Sequence, residues 1–261
     1  MTITLLLRGS TDRPTLRRQK PVGEVVCSRG FWILDKNNCS FMTQKIGFIL
    51  LWLGFISYGF IFAPPEDPNT FDLIQKLSAM ETEGINPLIV SLFNLMGILP
   101  LMYAPLLLID GKGQKLVAFP FVILSFAVGA FALLPYFAFR QPEPDFRRQK
   151  SWLLKLLDSR VFGVLIAGLF LLLFITGLRT GNWNDFILQW QNSRFIHVMS
   201  LDFCLLVLLF PVILRDDLKR RKIDDSRFFQ TIIWIPILGT LTYFCVRPPL
   251  PVISDQLAVE S

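Results

Sequence analysis

A chain of 261 residues that is 52% hydrophobic and only 18% charged, with mean hydropathy +0.51, lies outside the range of soluble globular domains and inside that of multi-span membrane proteins. The net charge of +6 does not point to nucleic acid. Residues 1–41 hold seven Lys/Arg and three Asp/Glu, so +4 of it sits there, and no basic face interleaved with aromatics occurs elsewhere.

In chain order, residues 1–41 contain no apolar run long enough to span a membrane. Three readings compete: a targeting peptide, a disordered tail, or a translation start placed upstream of a natural one at Met42. The expectation adopted is the last. The four cysteines, Cys27, Cys39, Cys204 and Cys245, have no CxxC or CxxxH spacing and indicate neither zinc nor a redox pair.

From Ile46 onward, hydrophobic length predicts an all-α, polytopic helix bundle with six spans: 46–63, 87–109, 116–139, 161–178, 195–214 and 228–246. Asn69-Thr70 caps a short amphipathic segment carrying Phe71, Ile74 and Leu77, an interfacial helix. The turn from Asp110 to Lys115 joins the second and third spans, and its DGKG lacks the phosphate-loop pattern. Loops 140–160 and 215–227 each hold six Lys/Arg. The positive-inside rule puts both on the cytoplasmic or stromal face, 13 basic residues against 6 from Lys45 onward, with both termini on the opposite side. Adding residues 1–41 levels that bias. The division expected is a disordered extension 1–41, a first three-span half 42–144, a basic interfacial linker 145–160, a second three-span half 161–251 and a disordered tail 252–261.

Shifting the chain by 107 residues brings Tyr136-Phe-Ala-Phe-Arg-Gln-Pro-Glu-Pro144 onto Tyr243-Phe-Cys-Val-Arg-Pro-Pro-Leu-Pro251 and Asp110 onto Asp217. A shift one residue longer pairs Asn94 with Asp202. Two halves of three spans each would be inverted repeats, as in many secondary transporters. The bland alternative is that helix ends commonly carry Arg and Pro.

The end of each half, particularly VGAFALLPYFAFRQP, resembles the close of a bacterial family of three-span membrane proteins of unknown function. The region from Met42 to Pro251, including LLKLLDSR and SRFIHVMSLDFCLLVLLFP, resembles uncharacterised membrane proteins of cyanobacteria and plant plastids. The resemblance implies a location, a thylakoid or bacterial cytoplasmic membrane, and brings no catalytic residue.

Candidate sites lie inside the spans. Ser193, His197, Ser200 and Cys204 share one helix face with Arg194 beside it; this stripe suits helix packing, and His197 could also serve as an axial ligand to chlorophyll or haem. Asp202, deep in the fifth span, costs about 2.5–3.5 kcal/mol to insert at a helix centre, and Asn94 is the partner the repeat suggests for a proton or cation site. Trp152, Trp183 and Trp190 with Arg147, Arg148, Lys150, Arg220 and Arg221 form the expected lipid interface. No enzyme constellation is present: no HExxH, no histidine box and no dinucleotide fingerprint. The leading expectation is a non-enzymatic accessory, assembly or scaffold component of a membrane complex, plausibly photosynthetic, with no required cofactor and with lipid and complex subunits as partners. The alternative is a small secondary transporter or channel with its site at Asp202 and Asn94, and the third reading is pigment or haem binding at His197.

Overall fold

In the computed structural model the described residues are 36–111, 114, 116–141, 151–223, 226–232 and 234–250. The chain divides into two units, Met1–Met42 and Thr43–Ser261, and the helix bundle is the second. The helices are α1 (Lys36–Ser57, continued by a π-helical turn, Tyr58–Phe62), α2 (Thr70–Ser78), α3 (Pro87–Asp110), α4 (Ala118–Val128), α5 (Ala130–Phe139), α6 (Trp152–Leu157), α7 (Arg160–Thr180), α8 (Trp183–Asn192), α9 (Arg194–Arg220), α10 (Arg227–Ile232) and α11 (Leu238–Val246). Among the described residues there is no strand.

Among the described residues, four helices are long and apolar enough to cross a membrane: Met42–Phe62, Pro87–Asp110, Arg160–Thr180 and Arg194–Arg220. The starts of α3, α7 and α8 follow from capping. Asn86 accepts from the backbone N–H of Leu88 ahead of Pro87 at the first helical position, Ser159 accepts from Phe162 and Asn182 from Asp185.

The apolar runs 116–139 and 228–246, expected as the third and sixth spans, do not form continuous helices among the described residues. Each is broken. Between α4 and α5 the chain turns at Gly129, whose φ of +53° is costly for any residue with a Cβ. Both ends of this α4–α5 hairpin lie beside the C-terminus of α3: Ala118 abuts Gly111, the Gln141 N–H donates to Gln114 Oε1 at 2.9 Å, and Arg140 pairs with Asp110. It therefore leaves and returns on one side. At 1.5 Å per residue the eleven residues of α4 reach about 16 Å, roughly half a hydrocarbon core. The α10–α11 hairpin does the same at the end of α9. It breaks at Pro236-Ile237, where Ile237 has φ +58°, starts where the Ile223 N–H meets the Leu218 carbonyl, and finishes with Arg247 beside Asp217.

The direction of the central helices does not bear out the expected inverted arrangement. At their starts α3 and α9 share an apolar cluster of Ile89, Ile196 and Met199; midway Tyr103 donates to the Leu206 carbonyl at 2.6 Å and stacks on Phe210; at their ends Arg220 donates to Asp110. They run parallel. Helix α1 runs against α9, with Tyr58 near His197, and α7 runs against α3, with Gly177 on Ser91. Two long helices and a hairpin per half return the chain to its starting end, so Thr43 and Leu250 lie at the same end of the bundle as Arg140, the segment 151–160 and the segment 215–223. That end is the base of the bundle.

Candidate functional site

The bundle presents two polar centres, one midway along α9 and one at the base. The first is Asp202, eight residues or about 12 Å into α9. Only 3% exposed, it accepts the backbone N–H of Ala130 at 2.8 Å. That donor is one of the unpaired N–H groups at the start of α5, where the helix dipole favours negative charge. Gly129 completes the cradle: a Cβ there would overlap Asp202 Oδ2. Glycine is therefore demanded twice, by its φ and by the carboxylate.

The expected partner of Asp202 is elsewhere. Asn94 turns its amide to its own helix, donating to the Val90 carbonyl at 2.8 Å, because an unpaired side-chain donor inside an apolar helix finds the nearest backbone acceptor.

The histidine is held by its own chain. His197 is 5% exposed; its Nδ1 lies 3.0 Å from the Trp190 carbonyl and its Nε2 2.9 Å from the Tyr58 hydroxyl. A carbonyl only accepts, so Nδ1 carries the proton and Nε2 accepts from Tyr58. An axial bond to haem or chlorophyll would have to break one of these contacts. Trp190, expected at the lipid interface, is half-buried and stacks on the ring at 4.1 Å. Trp152 and Trp183 are exposed, as an interfacial position requires; Arg147, Arg148 and Lys150 lie outside the described residues.

Arg220 and Arg221, expected at the lipid interface, are 4% and 5% exposed and belong to the second centre. Three carboxylates draw them inward. Arg220 pairs with Asp110, which also receives Arg140 at 3.0 Å and the Tyr136 hydroxyl at 2.7 Å. Arg140 continues to Asp216 at 2.6 Å. Arg221 pairs with Asp217 at 2.9 Å and Asp158 at 2.5 Å, and Asp217 receives the Tyr243 hydroxyl at 2.6 Å.

The two clasps correspond residue by residue at a separation of 107: Asp110 and Asp217, Gln114 and Arg221, Tyr136 and Tyr243, Arg140 and Arg247. They differ in tension. Burial opposes the charge of Arg140, but Asp110 and Asp216 outweigh it and hold its pKa above the ordinary arginine value. Arg247 has Arg221 in the place of a glutamine; burial, then that like charge, lower its pKa despite Asp217 and Asp158. Its Nε and Nη1 have no hydrogen-bond partner, while Nη2 donates to the Leu157 carbonyl at 2.9 Å. Each clasp ties the returning limb of a hairpin to the helix before it, and Arg140–Asp216 with Arg220–Asp110 joins one half to the other.

The chain matches no family model, no curated protein and no solved structure.

Proposed function

We propose that the chain is an integral membrane protein of two parallel halves, each with two spans and a re-entrant hairpin, working as a small proton-coupled transporter or channel with Asp202 as its proton-binding group. The observation that carries this is the Gly129-Ala130 hairpin tip set on a carboxylate midway along a span. Non-helical backbone at membrane depth persists where it is buried in protein or lines a polar path, and an acid there is a functional candidate because its charge is costly in hydrocarbon. Broken helices whose N-termini face a charged group recur at transporter sites. A proton suits the site better than a metal cation: no cation stands against Asp202 among the described residues, one oxygen is taken by an N–H donor and the other rests on Gly129, whereas metal ions gather several oxygens.

An accessory or assembly role in a larger membrane complex is the second reading. It is favoured by the outward apolar residues of α1 and α7, among them Leu50, Leu53, Leu165 and Leu172, which offer lateral packing faces. The resemblance to proteins of cyanobacteria and plastids supports a thylakoid or bacterial cytoplasmic membrane for either role.

Proton flux into proteoliposomes, followed with an internal pH dye, separates them. Asp202→Asn keeps an acceptor for the Ala130 N–H and removes the titratable group. Transport predicts flux in the native chain and its loss in the variant. No flux in either, with the native chain co-purifying with stoichiometric subunits from its own membrane, would favour the accessory role.

A further inference from the structure

With both hairpins returning to the base, the charges of the described residues sort by side. From Lys45 onward, eleven described Lys/Arg stand at the base and three, Lys76, Arg179 and Arg194, at the other end. The carboxylates of the base are consumed: Asp110, Asp158 and Asp217 are buried in the clasps, and Asp216 is taken by Arg140 at 2.6 Å, with Lys219 a looser 3.9 Å away. Its exposed charges among the described residues are therefore all positive: Lys155, Arg160, Arg215, Lys219, Lys222 and Arg227. At the other end Glu66, Asp67, Asp72, Glu81 and Glu83 are exposed, Lys76 is paired with Asp72 at 2.7 Å, and the Arg194 guanidinium donates to the Pro64 carbonyl.

We propose that the base is a docking surface for the phosphates of anionic lipid headgroups, which also makes it the cytoplasmic or stromal face. Charge complementarity is the first argument, since a leaflet of anionic lipid attracts clustered Lys/Arg within a Debye length. The second is what lies among the cations. Trp152 and Leu156 on α6 and Phe228 at the start of α10 are exposed, and further along the hairpin Arg215 lies over the exposed Trp234 ring at 4.4 Å. On α6, Leu154 and Leu157 face the bundle while Trp152 and Leu156 face out, so the helix lies along the surface with an apolar side free. The exposed apolar side chains Trp152, Leu156 and Phe228 beside these cations suit the boundary between headgroups and acyl chains; a soluble acidic partner has no use for the apolar half.

The test titrates the full-length protein, purified in mild detergent, with short-chain phosphatidylglycerol and phosphatidylcholine, reading the shift in thermal-unfolding midpoint. The proposal expects phosphatidylglycerol to bind at least tenfold more tightly, with the preference weakening as salt rises. It expects the variant Lys155→Gln/Lys219→Gln/Lys222→Gln/Arg227→Gln to lose that preference while its phosphatidylcholine response is unchanged. These side chains are exposed, and the pair Lys219→Gln/Lys222→Gln, expected to show an intermediate loss, provides a milder check. Equal affinity for the two lipids, an undiminished preference in the variants, or displacement of the lipid by an equal concentration of inorganic phosphate would overturn it.

Discussion

The Tyr243 hydroxyl donates to Asp217 at 2.6 Å, and 107 residues earlier Tyr136 donates to Asp110 at 2.7 Å. Each bond closes a hairpin of the same 26-residue separation onto the carboxylate at the end of the preceding span. If the two clasps are equivalent parts, Tyr136→Phe and Tyr243→Phe cost similar amounts, about 1.5–3 kcal/mol each, the range for a hydrogen bond to a charged group. Thermal-unfolding midpoints in detergent measure this. A large loss in one variant and none in the other would break the equivalence.

Gly129 and Asp202 are coupled by contact. Gly129→Ala is expected to cost roughly 3 kcal/mol or more, from a backbone with positive φ and a methyl group forced into the carboxylate. In an Asp202→Ala background the clash is gone and only the backbone strain remains, so the same substitution should cost at most about half as much. A double-mutant cycle of unfolding midpoints that came out additive would contradict the packed tip.

Tyr58 binds α1 to α9 through His197. Tyr58→Phe removes that donor and is expected to cost about 1 kcal/mol, with faster hydrogen exchange over residues 55–62 and little change elsewhere. Exchange unchanged over that stretch would mean that the bond does not hold the end of α1.

Much of this was legible in the sequence, and where it was not the reason is physical. Hydrophobic length located every apolar element but could not separate a span from a hairpin, because about twenty apolar residues read alike whether they cross a bilayer or turn back within it. The glycine within 116–139 and the proline within 228–246 were the available signals, and both residues are ordinary in membrane helices. The matches of Asp110 with Asp217, Tyr136 with Tyr243 and Arg140 with Arg247 were visible. Their inversion was inferred from an odd number of spans, whereas α3 and α9 run parallel. Asp202 stood out by its cost, yet its partner is a backbone N–H on α5, which no side-chain pattern marks, and Asn94 was matched to it only by register. Arg220 and Arg221 read as lipid-interface residues because a basic run just after a span commonly faces the headgroups. The carboxylates that bury them come from positions 110, 158 and 217, and only the fold brings these together.

The central claim is that both hairpins re-enter, since the placement of Asp202 at a tip and the all-positive base both depend on it. Membrane-impermeant thiol labelling of single cysteines at Gln114, Lys222 and Glu83, in a chain with its native cysteines replaced and held in sealed vesicles of known orientation, tests it most directly. Re-entrant hairpins put Gln114 and Lys222 on one side and Glu83 on the other. Six spans would instead put Glu83 and Lys222 together with Gln114 opposite, and that labelling pattern would contradict the account.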